Sequence, residues 1–419
     1  MANQDHTSFE STCVADQQTL GGNVLLCNSS ATEQPGSGAL KILVLAQDLA
    51  CVNIQRRIEM LCAGGARVKV AGFRRTPKPV GTVAGCRAVD FGQTFDARFS
   101  QRIGAVLRTV IGLRRYEALF ADVDLVVARN LEMVAIGARG RGFCKKPLPV
   151  ILYECIDIHR LMLSRGPADM VLRWLERRLS RRAAAIINSS PAFVTHYFHR
   201  IAHLKNPIRL VENKVLDITE KTPLDTKVAP RAPGPPWIIG WFGKIRCTRS
   251  LNLLIELAQQ SEGKVEVIIR GKPLEHLFGN FEEKIRGVPG IKFLGSYRNP
   301  QDLEDIYRNI HFTWAIDMYE EGLNSSWLLP NRVYEGGLYG AVPMALVSVE
   351  TGRFLKKLGI GVMLTDPPAP SLRNFFATLT PEKYHDFENA ILSLPRANWV
   401  CSRSDCEELV KWLGSLRKT

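Results

Sequence analysis

Short apolar runs alternate with amphipathic stretches along this chain, and the alternation starts afresh after one proline-rich segment. Lys41 to Ala46 (KILVLA) reads as a buried strand. QDLACVNIQRRIEMLCAGG follows as a loop and a helix, with Ile54, Ile58 and Leu61 on one face and Gly64-Gly65 to stop it. ARVKVAGF is a second strand, and a right-handed crossover makes the two parallel. Strands follow at 124–129 (DLVVAR), 148–154 (LPVILYE) and 184–190 (AAIINSS), then a helix from near Pro191, and RLVENKV (209–215) closes the first half. Residues 220–236 (EKTPLDTKVAPRAPGPP) are rich in proline and poor in apolar side chains, which marks a linker. Beyond it WIIGWFG (237–243), KVEVIIRG (264–271), IKFLG (291–295), IHFTWAID (310–317) and VPMALV read as strands. SLNLLIELAQQ, PQDLEDIYRN and LPNRVYEGGLYG (329–340) supply the intervening helices.

A chain of 419 residues is too long for one core, and strands alternating with helices demand doubly wound parallel sheets. The expected class is therefore α/β with two Rossmann-like domains facing a cleft. The expected division is a polar, disordered segment over 1–39, a first Rossmann-like domain over 40–219 and a linker over 220–236. A second Rossmann-like domain over 237–390 and a helical tail over 391–419, built on DCEELVKWLGSL, complete it.

The ten cysteines are scattered, with no CxxC pair and no zinc-like spacing, so they are expected to be reduced thiols and no metal site is expected. The start, MANQDHTSFESTCVADQQTL, lacks the charged and apolar regions of a signal peptide, and no apolar run reaches membrane-spanning length. The expected location is the cytoplasm, peripheral on the inner face of the cytoplasmic membrane. Net charge is +14, and residues 41–217 carry 30 Lys/Arg against 14 Asp/Glu, so the basic character is confined to the first half. Such a half points to an anionic partner, with a solvated basic surface as the plainer reading.

Chemistry-bearing residues cluster at predicted strand ends. Gly243, Lys244, Arg246 and Arg249 follow a strand and precede a helix, the position where open α/β sheets bind anionic ligands with help from helix N–H groups. Glu335, in NRVYEGG, can accept ribose hydroxyls as acidic residues do in dinucleotide sites. The small residues of Gly322 to Ser326 (GLNSS), Asn324 among them, allow backbone amides to approach a ligand. Asp157 and His159 end an apolar run on the cleft side and could act as base or stabilise positive charge, with Glu154 as an alternative base. Gln47, Asp48 and Asn53 lie in the first strand-to-helix loop, on the acceptor side.

GWFGKIRCTRSLNLLIELA, VEVIIRGKP, IKFLGSYRNPQDLEDIYRNIHFTWAID and LPNRVYEGGLYGAVPMAL together resemble the nucleotide-binding domain of the GT-B glycosyltransferases. The likeness is to the large, mostly retaining branch of bacterial polysaccharide synthesis, and within it to glucosyltransferases of succinoglycan-type exopolysaccharide assembly. It covers about residues 40–390 and is stronger in the second half. The resemblance implies that Lys244 and Arg249, with Arg246 as a third cation, meet the pyrophosphate of the donor. It places Asn331 and Arg332 near the phosphates and glycosyl ring, the loop carrying Asn324 around the donor sugar, and Arg270-Gly271 near the base. The family pairs the glutamate at 335 with another eight residues earlier; here that position is Trp327, and the pair is broken. The implied reaction moves a hexose, glucose from UDP-glucose, to a polyprenyl-linked oligosaccharide, without a cofactor or metal.

FSQRIGAVLRTVIGLRRYEALF (99–120) places Ile103, Val106, Leu107, Val110 and Leu113 on one helical face, flanked by Arg102, Arg108, Arg114 and Arg115. MVLRWLERRLSRR (170–182) adds Arg173, Arg177, Arg178, Arg181 and Arg182 around Trp174. Basic amphipathic helices with aromatics fit an anionic bilayer surface, while the plainer reading buries the apolar stripes against the sheet. No nucleic-acid-binding module is visible, so none is expected as partner. Two other functions fit the sequence less fully: a sugar-nucleotide 2-epimerase, which uses the same cleft without an acceptor, and a non-catalytic basic binding protein.

Overall fold

A computed structural model describes residues 38–95, 99–158, 160–163, 166–219 and 232–417. His159, most of the polar segment before residue 40 and linker residues 220–231 lie outside the described residues.

Each half forms its own sheet. The first contains β1 (Lys41–Ala46), β2 (Arg67–Arg74), β3 (Thr82–Val83), β4 (Cys86–Gln93), β5 (Leu125–Arg129), β6 (Val150–Glu154), β7 (Ala183–Asn188) and β8 (Ile208–Leu210), in the order β3-β4-β2-β1-β5-β6-β7-β8. All neighbours are parallel except β3 and β4, which make an antiparallel edge hairpin. β4 escapes a hydropathy reading because most of it is half-buried, with neither a solid apolar run nor clean alternation.

After β9 (Val215–Leu216) comes the second sheet: β10 (Trp237–Ile245), β11 (Val265–Pro273), β12 (Ile291–Phe293), β13 (Phe312–Trp314), β14 (Val342–Leu346) and β15 (Val362–Leu364). Its order is β12-β11-β10-β13-β14-β15, wholly parallel. In both sheets the order reverses beside the first strand, between β1 and β5 and between β10 and β13, and such crevices are where open α/β sheets bind ligands.

The C-terminal segment is not a tail. β16 (Val400–Cys401) pairs in parallel with β9, and the helix Arg403–Ser415 crosses back to pack on the first-domain helix Val52–Ala63. Cys406, Leu409 and Leu413 are buried in the first domain's core. A Cβ at Gly64 would lie 2.4 Å from the Cys406 carbonyl oxygen, so only glycine permits this approach. The physical reason is amphipathicity: the apolar face of that helix needs a partner, and the exposed edge of the first domain supplies it.

Candidate active site

The cleft is built from strand ends of both domains. β10 and β11 pair to their ends, with Gly243 opposite Gly271 and Lys244 opposite Lys272. Gly243 has φ +103° and Gly271 φ +136°, and a Cβ at 271 would sit 1.8 Å from the Gly243 carbonyl oxygen. The two glycines therefore let the strand backbones approach closely just before the chain leads from Lys244 to Arg246. The following helix, Thr248–Gln260, is capped by the Cys247 thiol, which accepts the Ser250 N–H at 3.3 Å.

The expected cations do not share one environment. Lys244 is exposed and makes no ion pair among the described residues. Arg246 is held by Asp317, a carboxylate that the sequence reading absorbed into the end of a strand, and its guanidinium lies 5.5 Å over the Tyr319 ring. Arg249 donates to Glu321, a second carboxylate not foreseen. Arg332 is buried; its Nη1 donates to the Phe242 carbonyl at 3.3 Å, and its Nε has no partner among the described residues. The Arg270 Nε is likewise buried and unpartnered. Buried donors of this kind normally find an acceptor, and these two come from β11 and from the helix Asn331–Leu338.

Glu335 is buried, and its oxygens accept hydrogen bonds from Asn299 Nδ2 at 3.0 Å and from the Tyr307 hydroxyl at 2.8 Å. Burial raises its pKa, while those bonds and the nearby Arg56 and Arg332 work against the rise. Each carboxylate oxygen retains a lone-pair site.

On the opposite wall Asp157 is exposed at the end of β6 and Ile158 is buried. Asn324, at the start of the short helix Asn324–Trp327, reaches across to both: its amide donates to Asp157 Oδ1 at 3.4 Å and accepts from the Ile158 N–H at 3.2 Å. Asp157, Asp317 and Glu320 gather around Arg246. Burial and then repulsion from Asp157 and Asp317 push the Glu320 carboxyl up, against the pull of Arg246.

Glu154 is not a free base. It is fully buried, with Arg57 Nε 2.7 Å from one oxygen and Arg129 Nη1 3.3 Å from the other. Burial favours the neutral form, and the guanidiniums of Arg57 and Arg129 overcome it, so its pKa falls below the ordinary value. A carboxylate tied on both oxygens and held ionised by two cations makes a poor proton acceptor.

In the first strand-to-helix loop, Asp48 Oδ1 accepts the backbone N–H groups of Ala50 and Arg75 at 3.2 and 3.3 Å and so shapes its own loop. The Gln47 side-chain oxygen is buried without a partner among the described residues. Asn53 joins the domains: its side-chain oxygen accepts from Arg56 at 3.0 Å and from Asn331 at 3.1 Å. Arg56 also binds Asn213, and burial together with neighbouring Arg57 lowers its pKa to about 10.

Trp327 does not face the cleft as a substitute for a carboxylate. Its ring stacks on His196 at 5.8 Å and meets Phe193 edge-on at 6.2 Å, while its carbonyl accepts from the Ser190 hydroxyl. Among the described residues, no group of three or more His, Cys, Asp or Glu side chains could hold a metal ion.

The two basic segments behave differently from a single amphipathic face. In Phe99–Ile111, Ile103, Leu107 and Ile111 are exposed, whereas Val106 and Val110 pack inward, and Leu113 just beyond the helix is buried. In Pro167–Ser180, Met170, Val171, Trp174 and Leu175 are exposed. Both helices pack against the helix Leu131–Gly140 and share one flank of the first domain, with Arg108, Arg114, Arg115, Arg178, Arg181 and Arg182 exposed nearby. No helix among the described residues is long and apolar enough to cross a membrane.

No family model matches the chain. The architecture recurs in solved structures. Sucrose-phosphate synthase from Thermosynechococcus elongatus aligns with TM-score 0.62 at 12% identity, over 90% of this chain and 96% of that one. Anabaena HepE in complex with UDP-glucose aligns with TM-score 0.58 at 16% identity, over 90% and 97%. Two parallel α/β domains with their strand ends turned on a common cleft give this protein the GT-B fold. The succinoglycan biosynthesis protein ExoL of Rhizobium meliloti (strain 1021) is 45% identical over 381 residues, 90% of this chain and 94% of that protein. The chain belongs to the ExoL family of succinoglycan biosynthesis proteins.

Proposed function

We propose that this enzyme moves glucose from UDP-glucose to a polyprenyl-linked oligosaccharide in exopolysaccharide assembly, working on the inner face of the cytoplasmic membrane. The observation that carries the donor side is the pair of buried, unpartnered guanidinium nitrogens of Arg270, in β11, and Arg332, in the helix Asn331–Leu338, together with exposed Lys244 at the end of β10. A nucleoside diphosphate supplies the acceptors those groups lack. In this reading Lys244, Arg249 and Arg332 neutralise the leaving diphosphate without a metal, Glu335 takes the ribose hydroxyls, and Arg270-Gly271 lies by the base.

The transfer forms a bond from the acceptor oxygen to the anomeric carbon and breaks the bond from that carbon to the diphosphate, whose electrons leave with UDP. Asp157 stands on the first domain's wall of the cleft, near Arg246. There its carboxylate stabilises the oxocarbenium-like charge and takes the proton of the attacking hydroxyl. The names of the ExoL relative and of HepE, the latter solved with UDP-glucose, support the pathway and the donor.

The exposed apolar side chains of the two basic helices, ringed by arginines, support a membrane-facing flank suited to a lipid-linked acceptor.

The test is a thermal-shift series with UDP, GDP, ADP and their glucose conjugates, repeated on Arg249→Ala and Glu335→Ala. Stabilisation by UDP and UDP-glucose, lost in both variants, is expected, because a ligand of the folded state raises the melting temperature. No shift with any nucleotide overturns the reading. Turnover of UDP-glucose to an epimer without any acceptor would replace it with an epimerase.

A further inference from the structure

The loop that precedes Glu335 is anchored in two domains. On its own side, Ser325 Oγ accepts the Glu320 N–H at 3.0 Å, Ser326 Oγ accepts the Gly322 N–H at 2.8 Å, and Thr351 donates to the Leu328 carbonyl at 3.1 Å. On the far side Trp327 is clamped by His196, Phe193 and Ser190, and Trp327 and Leu328 pack onto the first domain's core. Between the two anchorages stands Asn324, 2% exposed, with both ends of its amide engaged by the first domain.

We propose that Asn324 is a positioning residue for Asp157, held in place across the cleft by the Trp327 clamp, and not a ligand of the donor sugar. This rests on the reading that Asp157 acts in the transfer. Among the described residues no other group donates a hydrogen bond to the Asp157 carboxylate, which is otherwise exposed beyond a strand end. An amide is the side chain that fits, because it offers one donor and one acceptor on the same short stem. Aspartate at 324 would keep the Ile158 N–H satisfied but set a second carboxylate against Asp157. Alanine would leave that buried N–H without its acceptor and Asp157 without its donor. Trp327 stands where the family carries a glutamate, so this chain uses the position to fasten the loop to the opposite domain.

The experiment is a double-mutant cycle on Asn324 and Asp157, with UDP-glucose as donor and water as acceptor, reading UDP release. Asn324→Ala is expected to lower kcat about a hundredfold, the scale of a misplaced reacting group, with the KM for UDP-glucose within about twofold of the wild type. In the Asp157→Ala background the same substitution is expected to lower kcat no further, because residues that act as a unit are not additive. Asn324→Asp, nearly isosteric and competent to accept from Ile158, is expected to fold and to show the same loss of kcat. Hydrogen exchange over residues 155–158 is expected to accelerate in Asn324→Ala. Multiplicative losses, or a raised KM with unchanged kcat, overturn the proposal and return Asn324 to the donor site. If Asp157→Ala leaves kcat intact, the reading of Asp157 fails and the proposal with it. If Asp157→Ala abolishes turnover but exchange at 155–158 is unchanged in Asn324→Ala, the positioning claim alone fails.

Discussion

Two nitrogens of Arg246, Nε at 2.9 Å and Nη2 at 2.7 Å, rest on one oxygen of Asp317, and the other oxygen accepts the Tyr319 N–H at 3.0 Å. The cation expected for the diphosphate is thus already matched by a carboxylate from the end of β13. Burial pushes the Asp317 carboxyl up, and Arg246 and then Arg332 outweigh it and bring its pKa below the usual value. The group's contribution to stability is therefore present above the ordinary aspartate pKa of about 3.9 and is lost as pH falls through the lower folded value. Asp317→Asn is expected to cost about 3 kcal/mol at pH 7, since it strands a largely buried guanidinium. Urea denaturation at pH 7 and again below pH ~3 checks this, with the gap to wild type narrowing at the lower pH.

Glu176 gives the opposite sign. It is buried on the helix Pro167–Ser180, with the Tyr153 hydroxyl at 2.9 Å from one oxygen and the Tyr197 hydroxyl on the other. Burial pushes its carboxyl up to about 7, against the pull of those hydrogen bonds. The folded state favours the proton, so the stabilisation is complete below the ordinary glutamate pKa of about 4.3 and fades as pH rises through about 7. Glu176→Gln, neutral at every pH, is expected to remove that decline and to be more stable than wild type at pH 8 relative to pH 5. Melting temperatures across this range decide it.

The strand-and-helix rhythm was legible because parallel strands covered on both faces are continuous apolar runs, as at Lys41–Ala46 and Trp237–Ile245. β4 was not legible, since a strand one place in from the sheet edge and half in water has no such run. The cluster Lys244, Arg246, Arg249 could be located in advance because its place is fixed by chain order after β10. What each cation does could not, because Asp317 and Glu321 come from another strand-end loop some seventy residues on, and only the fold sets them there. Glu154 looked like Asp157, three residues away at the same strand end. Their difference lies in which side of the sheet end each faces, and the buried partners Arg57 and Arg129 come from elsewhere in the chain. The crossing helix Arg403–Ser415 was visible as a helix but not as part of the first domain, a contact across more than 300 residues.

The apolar flank makes a separable prediction. Leu107→Ser with Trp174→Ser removes two exposed apolar side chains and leaves every arginine in place. Each such side chain is worth roughly 1.5–3 kcal/mol when fully buried, so binding to phosphatidylcholine–phosphatidylglycerol vesicles is expected to weaken at least about tenfold. Melting temperature is expected to change little, because neither side chain is in the core. Flotation with and without the anionic lipid, at low and high salt, separates the apolar part from the arginine part, which salt screens. Equal flotation of variant and wild type sinks the membrane-facing role of this flank.

Glu321 competes with any anion for Arg249. The pair is half exposed on both sides, so its worth is that of a surface ion pair, about 0.2–1 kcal/mol. A diphosphate that binds Arg249 must displace this carboxylate, and Glu321→Gln is expected to tighten UDP binding by about 1.4- to fivefold, the same energy expressed as affinity. Arg249→Ala removes the cation itself and is expected to weaken UDP binding whatever stands at 321, so that Glu321→Gln adds nothing in that background. Because the diphosphate is neutralised by side chains in the proposed mechanism, EDTA is expected to leave UDP affinity unchanged in all four proteins. Isothermal titration with UDP, with and without EDTA, reads both effects at once. Weaker binding by Glu321→Gln would mean that the carboxylate orients Arg249 for the donor, and loss of binding in EDTA would mean that a metal carries charge here assigned to Lys244, Arg249 and Arg332.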